Sequence, residues 1–241
     1  MENKNEKLAK KTQIYNLVVL DRSGSMGSIR RAAVDGFNET LNGIKKAQET
    51  YADTQEHYVS LIAFCSCNTE KIFDKVPAVE ARPLELKDYC PCCCTPLYDA
   101  IGFSVADMQR HVKSIDDVVV TVTIITDGYE NASKEFSRQA IKTLVESLKG
   151  NGWTFTFMGA NQDAALTAET MAIRNSTTFS ADADGMDKAY RRDRRSKMAL
   201  WSKLNDAFHM KACMSKSESL SLNSNLADEA FDETEDDDLT T

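Results

Sequence analysis

The chain has 241 residues, 42% hydrophobic and 27% charged, with 29 Lys and Arg against 37 Asp and Glu for a formal net charge of -8. A chain of this size buries one full core, which excludes collagen-like, wholly disordered and small disulfide-stapled classes. The excess of acid argues against a general nucleic-acid binder, which needs a basic footprint to displace phosphate counterions.

Residues 1–12 form a charged N-terminal extension without an apolar run behind it, so no signal peptide or transit sequence is expected. Tyr15 to Leu20 is a β-branched strand that ends at Asp21 in a glycine-containing loop, followed by a helix from about Ser28 to Gln48. Tyr58 to Phe64 predicts a second strand and Lys71 to Phe73 a short third one. A helix is expected from Pro96 to about Arg110, with proline favoured in its first turn. Val118 to Thr126, the most β-branched run, suits a central strand buried on both faces. Next come a helix from about Lys134 to Lys149, the strand Trp153 to Met158, a helix near Asp163 to Ala172, a short strand Thr177 to Phe179, and a helix from Gly185 to Phe208. Repeated β-loop-α units of this kind predict an α/β fold: a doubly wound, mostly parallel sheet with helices on both faces and one short antiparallel edge strand. The main domain is placed at residues 13–208.

The remaining segment, 209–241, carries most of the charge imbalance. It holds 9 acids and 2 bases, whereas residues 1–208 hold 28 acids and 27 bases. Rich in Ser, Asn, Asp and Glu and ending in Glu235-Asp236-Asp237-Asp238, it is expected to be a disordered acidic tail that cannot bury enough surface to order itself.

In doubly wound sheets, ligands bind outside the carboxyl ends of the strands. Three loops there carry oxygen ligands: Asp21-Arg22-Ser23-Gly24-Ser25 after the first strand, Thr95 before the helix that begins at Pro96, and Asp127-Gly128 after the central strand. Three hydroxyls and two carboxylates, with no His or Cys required, suit a hard divalent ion such as Mg²⁺. Taken alone, the Asp-x-Ser-Gly-Ser stretch also fits an Asx-turn and helix N-cap.

The pattern Asp21-x-Ser23-x-Ser25, then Thr95, then Asp127 followed by glycine resembles the metal-ion-dependent adhesion site (MIDAS) of von Willebrand factor A (vWA) domains. The text around Thr95 and Asp127 is most similar to the stand-alone bacterial members. The resemblance implies the Rossmann-like vWA fold and Mg²⁺ or Mn²⁺ held directly by Ser23, Ser25 and Thr95. Asp21 and Asp127 would act mainly through water and hydrogen bonds. It implies a non-catalytic module that captures an Asp or Glu of a protein partner in a cytoplasmic multiprotein system, sometimes alongside an ATPase, with neither membrane nor nucleic acid involved.

Two alternatives stay open on the residues alone. A Mg²⁺-dependent phosphoryl-transfer or hydrolytic enzyme built on Asp21 and Asp127 would need a phosphate cradle, a cationic clamp and a base. The loops supply Arg22 as their one cation, and His57, His111 and His209 are scattered. The second is a zinc- or redox-responsive protein using Cys65, Cys67, Cys92, Cys93 and Cys94, since Cys90-Pro91-Cys92-Cys93-Cys94 stands where vWA domains usually have glycines. The chain has seven cysteines, an odd number without a secreted framework's spacing, which points to a reducing compartment. Arg191, Arg192, Arg194, Arg195 and Lys197 are read as a solvated helix face, and Gly159 to Asp163 as a turn that rims the site.

Overall fold

The β-branched and apolar runs form β1 (Thr12–Asp21), β2 (Gln55–Cys65), β3 (Asn68–Pro77), β4 (Val118–Thr126), β5 (Trp153–Gly159) and β6 (Asn175–Thr178). This is a computed structural model, and it describes residues 10–160, 164–211 and 213–239. Most of the N-terminal extension, and the rim positions Asn161 to Asp163, lie outside the described residues. The helices are α1 (Arg30–Thr50), α2 (Leu97–Val112), α3 (Arg138–Leu148), α4 (Ala164–Thr170), α5 (Ala183–Asp206), α6 (Phe208–Lys211) and α7 (Lys216–Leu239).

One sheet runs β3-β2-β1-β4-β5-β6. All pairs are parallel except β2 with β3, where Phe64 lies opposite Thr69 and Cys65 opposite Asn68. The edge strand expected at Lys71 to Phe73 is thus a longer antiparallel partner reached by a tight turn. β1 shows the period of two that divides the core. Ile14, Val18 and Leu20 pack with Phe37 and Leu41 of α1, Trp201 of α5 and Phe231 of α7, whereas Tyr15, Leu17 and Val19 face Ile101 and Val105 of α2 and Val145 of α3. All nine residues of β4 are buried, as a strand covered on both faces requires. The α1 and α5 helices approach closely at Gly36, where a Cβ would lie 2.1 Å from the Tyr190 ring.

Three expectations are corrected. The segment beyond residue 208 is not a disordered tail among the described residues: it forms α6 and α7, and α7 packs on α5. Its buried residues Ser219, Asn223, Ala227, Ala230 and Phe231 recur at helical spacing. Because that stripe is mostly Ser, Asn and Ala, composition hid it. Asn223 Nδ2 also donates to Asp117 Oδ1 at 2.9 Å and to the Val118 carbonyl at 3.2 Å, tying the helix to the start of β4. The helix expected from Lys134 begins at Arg138, because the amides of Lys134, Glu135 and Phe136 donate to the Asp99 carboxylate at 2.8, 2.9 and 2.8 Å. Finally, Lys197 is not part of a solvated face. Its ammonium is buried, 2.7 Å from Asp193 Oδ2 and 2.7 Å from Thr123 Oγ1. The neighbouring Arg194 does lie at the surface, paired with Glu39 at 2.7 Å.

Candidate metal centre

From β1 the chain runs through α1 to β2 on one side, and from β4 through α3 to β5 on the other. The carboxyl ends of β1 and β4 therefore flank the point where the winding reverses, and the crevice opens there. The register Leu20↔Ile125 sets Asp21 beside Thr126, so the two acidic loops leave the sheet side by side.

Asp21 is fully buried, and its carboxylate organises the first loop. Oδ1 accepts from the Ser23 amide at 2.6 Å, and Oδ2 accepts from Thr126 Oγ1 at 2.7 Å. Burial pushes its carboxyl up to about 6, against the pull of the Thr126 and Ser23 hydrogen bonds and with a smaller upward push from the Asp127 charge. The chain then turns through the 3-10 segment Gly24–Ile29, anchored by the buried Met26. This turn sets the Ser23 and Ser25 hydroxyls 3.1 Å apart. Ser25 Oγ donates to Asp127 Oδ1 at 2.6 Å, and burial raises the Asp127 carboxyl as well.

Thr95 closes the third side. A Cβ at Gly128 would lie 3.4 Å from Thr95 Oγ1 and 3.6 Å from Ser25 Oγ, so glycine at this position leaves space between the two hydroxyls. The Thr95 main chain is clamped to the loop after β4: its amide donates to Asn131 Oδ1 at 2.9 Å, and the Asn131 amide donates to its carbonyl at 3.1 Å. Asp21, Ser23, Ser25, Thr95 and Asp127 therefore converge from three loops separated in sequence. The donor set is hydroxyl and carboxylate oxygen, which suits a hard divalent cation. Ser23 and Thr95 are buried and Ser25 is exposed, so the cluster opens to solvent on the Ser25 side.

The supporting shell was the part that sequence reading missed. Thr126 orients Asp21, and Tyr89 donates its hydroxyl to the Asp21 carbonyl. Glu130 accepts from the Tyr98, Ala132 and Ser133 amides at 3.0, 2.8 and 2.7 Å, so one carboxylate holds both the first turn of α2 and its own loop. The polar run Glu130-Asn131-Ala132-Ser133 just past Asp127-Gly128 was the available signal. Arg22 points away, pairing with Glu70 of β3 at 2.7 Å.

The cysteines gather beside this centre. The sulfur atoms of Cys67, Cys92 and Cys93 lie within 4.8 Å of one another, and Cys65 Sγ is 3.5 Å from Cys92 Sγ. Cys65 and Cys94 both lie outside that group of three: Cys65 reaches it at Cys92, whereas the main chain of Cys94 holds the loop, its amide accepted by Ser66 Oγ at 3.0 Å and its carbonyl accepting from the Ser66 amide at 2.9 Å.

No protein-family model matches the chain, and no curated protein matches it. Solved structures do. Proximal thread matrix protein 1 from the mussel byssus, in a form with a zinc occupied MIDAS motif, is 13% identical with a TM-score of 0.52, covering 77% of this chain and 48% of that one. The pilus adhesin SpaC from Lactobacillus rhamnosus GG is 14% identical with a TM-score of 0.55, covering 83% of this chain and 31% of that one. The chain thus spans less than half the length of either. These likenesses show a shared fold, an α/β sheet of the von Willebrand factor A type.

Proposed function

We propose that this vWA-fold chain is a non-catalytic, divalent-metal-dependent protein-binding module. Ser23, Ser25 and Thr95 would ligate Mg²⁺ or Mn²⁺, with Asp21 and Asp127 holding it through water and hydrogen bonds. The observation that carries this reading is the convergence of five oxygen-bearing side chains from three loops at the switch point, with Ser25 Oγ 2.6 Å from Asp127 Oδ1. Hydroxyl ligands leave the charge of a divalent cation incompletely neutralised, so a coordination position facing solvent attracts an anionic oxygen. The partner is accordingly a protein that presents an Asp or Glu carboxylate. Likeness in the loop wording to stand-alone bacterial vWA proteins supports a cytoplasmic multiprotein assembly, alongside an ATPase, as the setting. No helix among the described residues is long and apolar enough to cross a membrane.

The enzyme reading is less well supported. Its cationic clamp would be Arg22, which is committed to Glu70. Two of the three histidines are engaged elsewhere: His57 sits in the core against Trp201, and His111 lies 3.1 Å from the Tyr15 hydroxyl. Mn²⁺ titration followed by calorimetry tests the proposal. Ser23→Ala should weaken binding at least ~10-fold, the range in which metal sites respond to lost supporting groups, and a partner captured with Mg²⁺ should be released by EDTA. Capture unchanged by both EDTA and Ser23→Ala would overturn it.

A further inference from the structure

We infer that Cys65, Cys67, Cys92 and Cys93 form a thiolate site for zinc that pins the Thr95-bearing loop to the β2–β3 turn. The four sulfurs come from two hairpin-like segments, Cys65-x-Cys67 at the end of β2 and Cys92-Cys93 in the loop before α2. A tetrahedral Zn–S₄ centre with Zn–S of about 2.3 Å places its sulfurs about 3.8 Å apart. Cys67, Cys92 and Cys93 already share a sphere in which no two sulfurs are more than 4.8 Å apart, and Cys65, outside that sphere, meets it at Cys92 with a separation of 3.5 Å, so ligation of a shared ion would draw its side chain inward. Cys67 and Cys93 stand at 2.7 Å, closer than two unbonded sulfurs sit comfortably, and joint ligation of one ion would spread them to the tetrahedral edge.

The backbone is arranged around this cluster. Cys93 adopts φ 63, a left-handed conformation that costs a residue with a Cβ, yet it is what directs the thiol toward Cys67. The Cys92 amide donates to the Arg22 carbonyl at 2.9 Å, and the Cys93 carbonyl accepts from the Gly24 amide at 3.0 Å, so the cysteine loop is braced against the loop that carries Ser23 and Ser25. The Arg22 guanidinium lies beside Cys65 and offsets part of the negative charge of a four-thiolate centre. Three of the sulfurs belong to exposed residues, so an ion can enter from solvent, while the buried Cys65 forms the floor. Zinc here closes a loop across 25 intervening residues between Cys67 and Cys93 and fixes Thr95, two residues on, without itself touching the oxygen cluster.

The site stands independently of the oxygen-ligand reading, and the experiment separates the two. The full chain, purified under reductant with zinc supplied and then dialysed against a mild chelator, should retain zinc in wild type and in Ser23→Ala, and should lose it in a Cys67→Ser/Cys93→Ser double variant but not in the control Cys213→Ser. Cobalt replacement in wild type should give intense near-ultraviolet thiolate-to-metal charge transfer, a readout that does not require any variant to fold. Four site thiols reacting freely with a thiol reagent in zinc-treated protein, a Cys67–Cys93 disulfide formed in the presence of zinc and reductant, or the absence of thiolate bands with cobalt would each overturn the proposal.

Discussion

At the residue scale, the buried carboxylate of Asp21 is the pivot of the centre, and its position depends on a neighbour with no metal-ligand role. Thr126 Oγ1 donates to Oδ2 at 2.7 Å and also accepts from the Gly128 amide at 3.1 Å, so one hydroxyl couples Asp21 to the loop that carries Asp127. Thr126→Val keeps shape and burial while deleting that donor. Mn²⁺ affinity should fall about 10- to 100-fold, as for other supporting hydrogen bonds at metal sites, with the circular dichroism spectrum unchanged; equal affinity would show that Thr126 does not position the carboxylate. The candidate oxygen ligands were legible from their placement, because Asp-x-Ser-x-Ser and Asp-Gly follow the ends of β1 and β4 and Thr95 stands just before α2. Thr126, Asn131 and Glu130 were not, since their effect depends on which loop each side chain reaches across a gap of up to 105 residues in sequence.

At the scale of elements, α7 is where sequence and structure diverge most. Its 24 residues carry a buried stripe whose largest member is Phe231, set among Ile14, Trp201 and Leu204 in the same core. Lys203 of α5 pairs with Glu229 and Glu233 at 3.5 and 2.9 Å, so part of the acid that looked like tail charge is matched to a helix it covers. Such exposed pairs contribute little on their own; apolar burial carries the helix. Phe231→Ala should cost about 3 kcal/mol or more, within the range for large-to-small core changes, measured as a lower urea midpoint. A tail merely appended to the domain would leave that midpoint unchanged. The β1, β2, β4 and β5 strands, by contrast, were legible because runs of Val, Ile and Leu flanked by helices leave a parallel interior strand as the consistent solution.

For the whole molecule, one buried group ties stability to pH. His57 lies edge-on to Trp201, its Nε2 3.0 Å from Gln55 Oε1, and its Nδ1 has no hydrogen-bond partner among the described residues. Burial pushes it down to about 3. The folded state therefore keeps the ring neutral, while the unfolded chain takes up a proton below its ordinary value of about 6.5, so stability declines as pH falls from there toward 3, by about 1.4 kcal/mol per unit. Wild type should lose about 2 kcal/mol between pH 7.5 and 5 from this group alone. His57→Phe should flatten that decline relative to wild type in paired urea titrations, and parallel curves would show that the ring does not stay neutral.

By itself the sequence determined the alternation of strands and helices, the mostly parallel sheet and the oxygen-bearing residues that its loops bring together, because hydrophobic period and loop chemistry are local properties that neighbouring residues express directly. Tertiary structure decided what depends on partners distant in the chain. It turned a polar, acidic segment into a packed helix, buried Lys197 against Thr123 of β4, bent three amides onto Asp99 in place of a helical turn, and drew cysteines from two loops into one cluster. In each case the decisive energy is an interaction across a gap in sequence, a side-chain hydrogen bond or a fit to a surface that exists only once the sheet has formed.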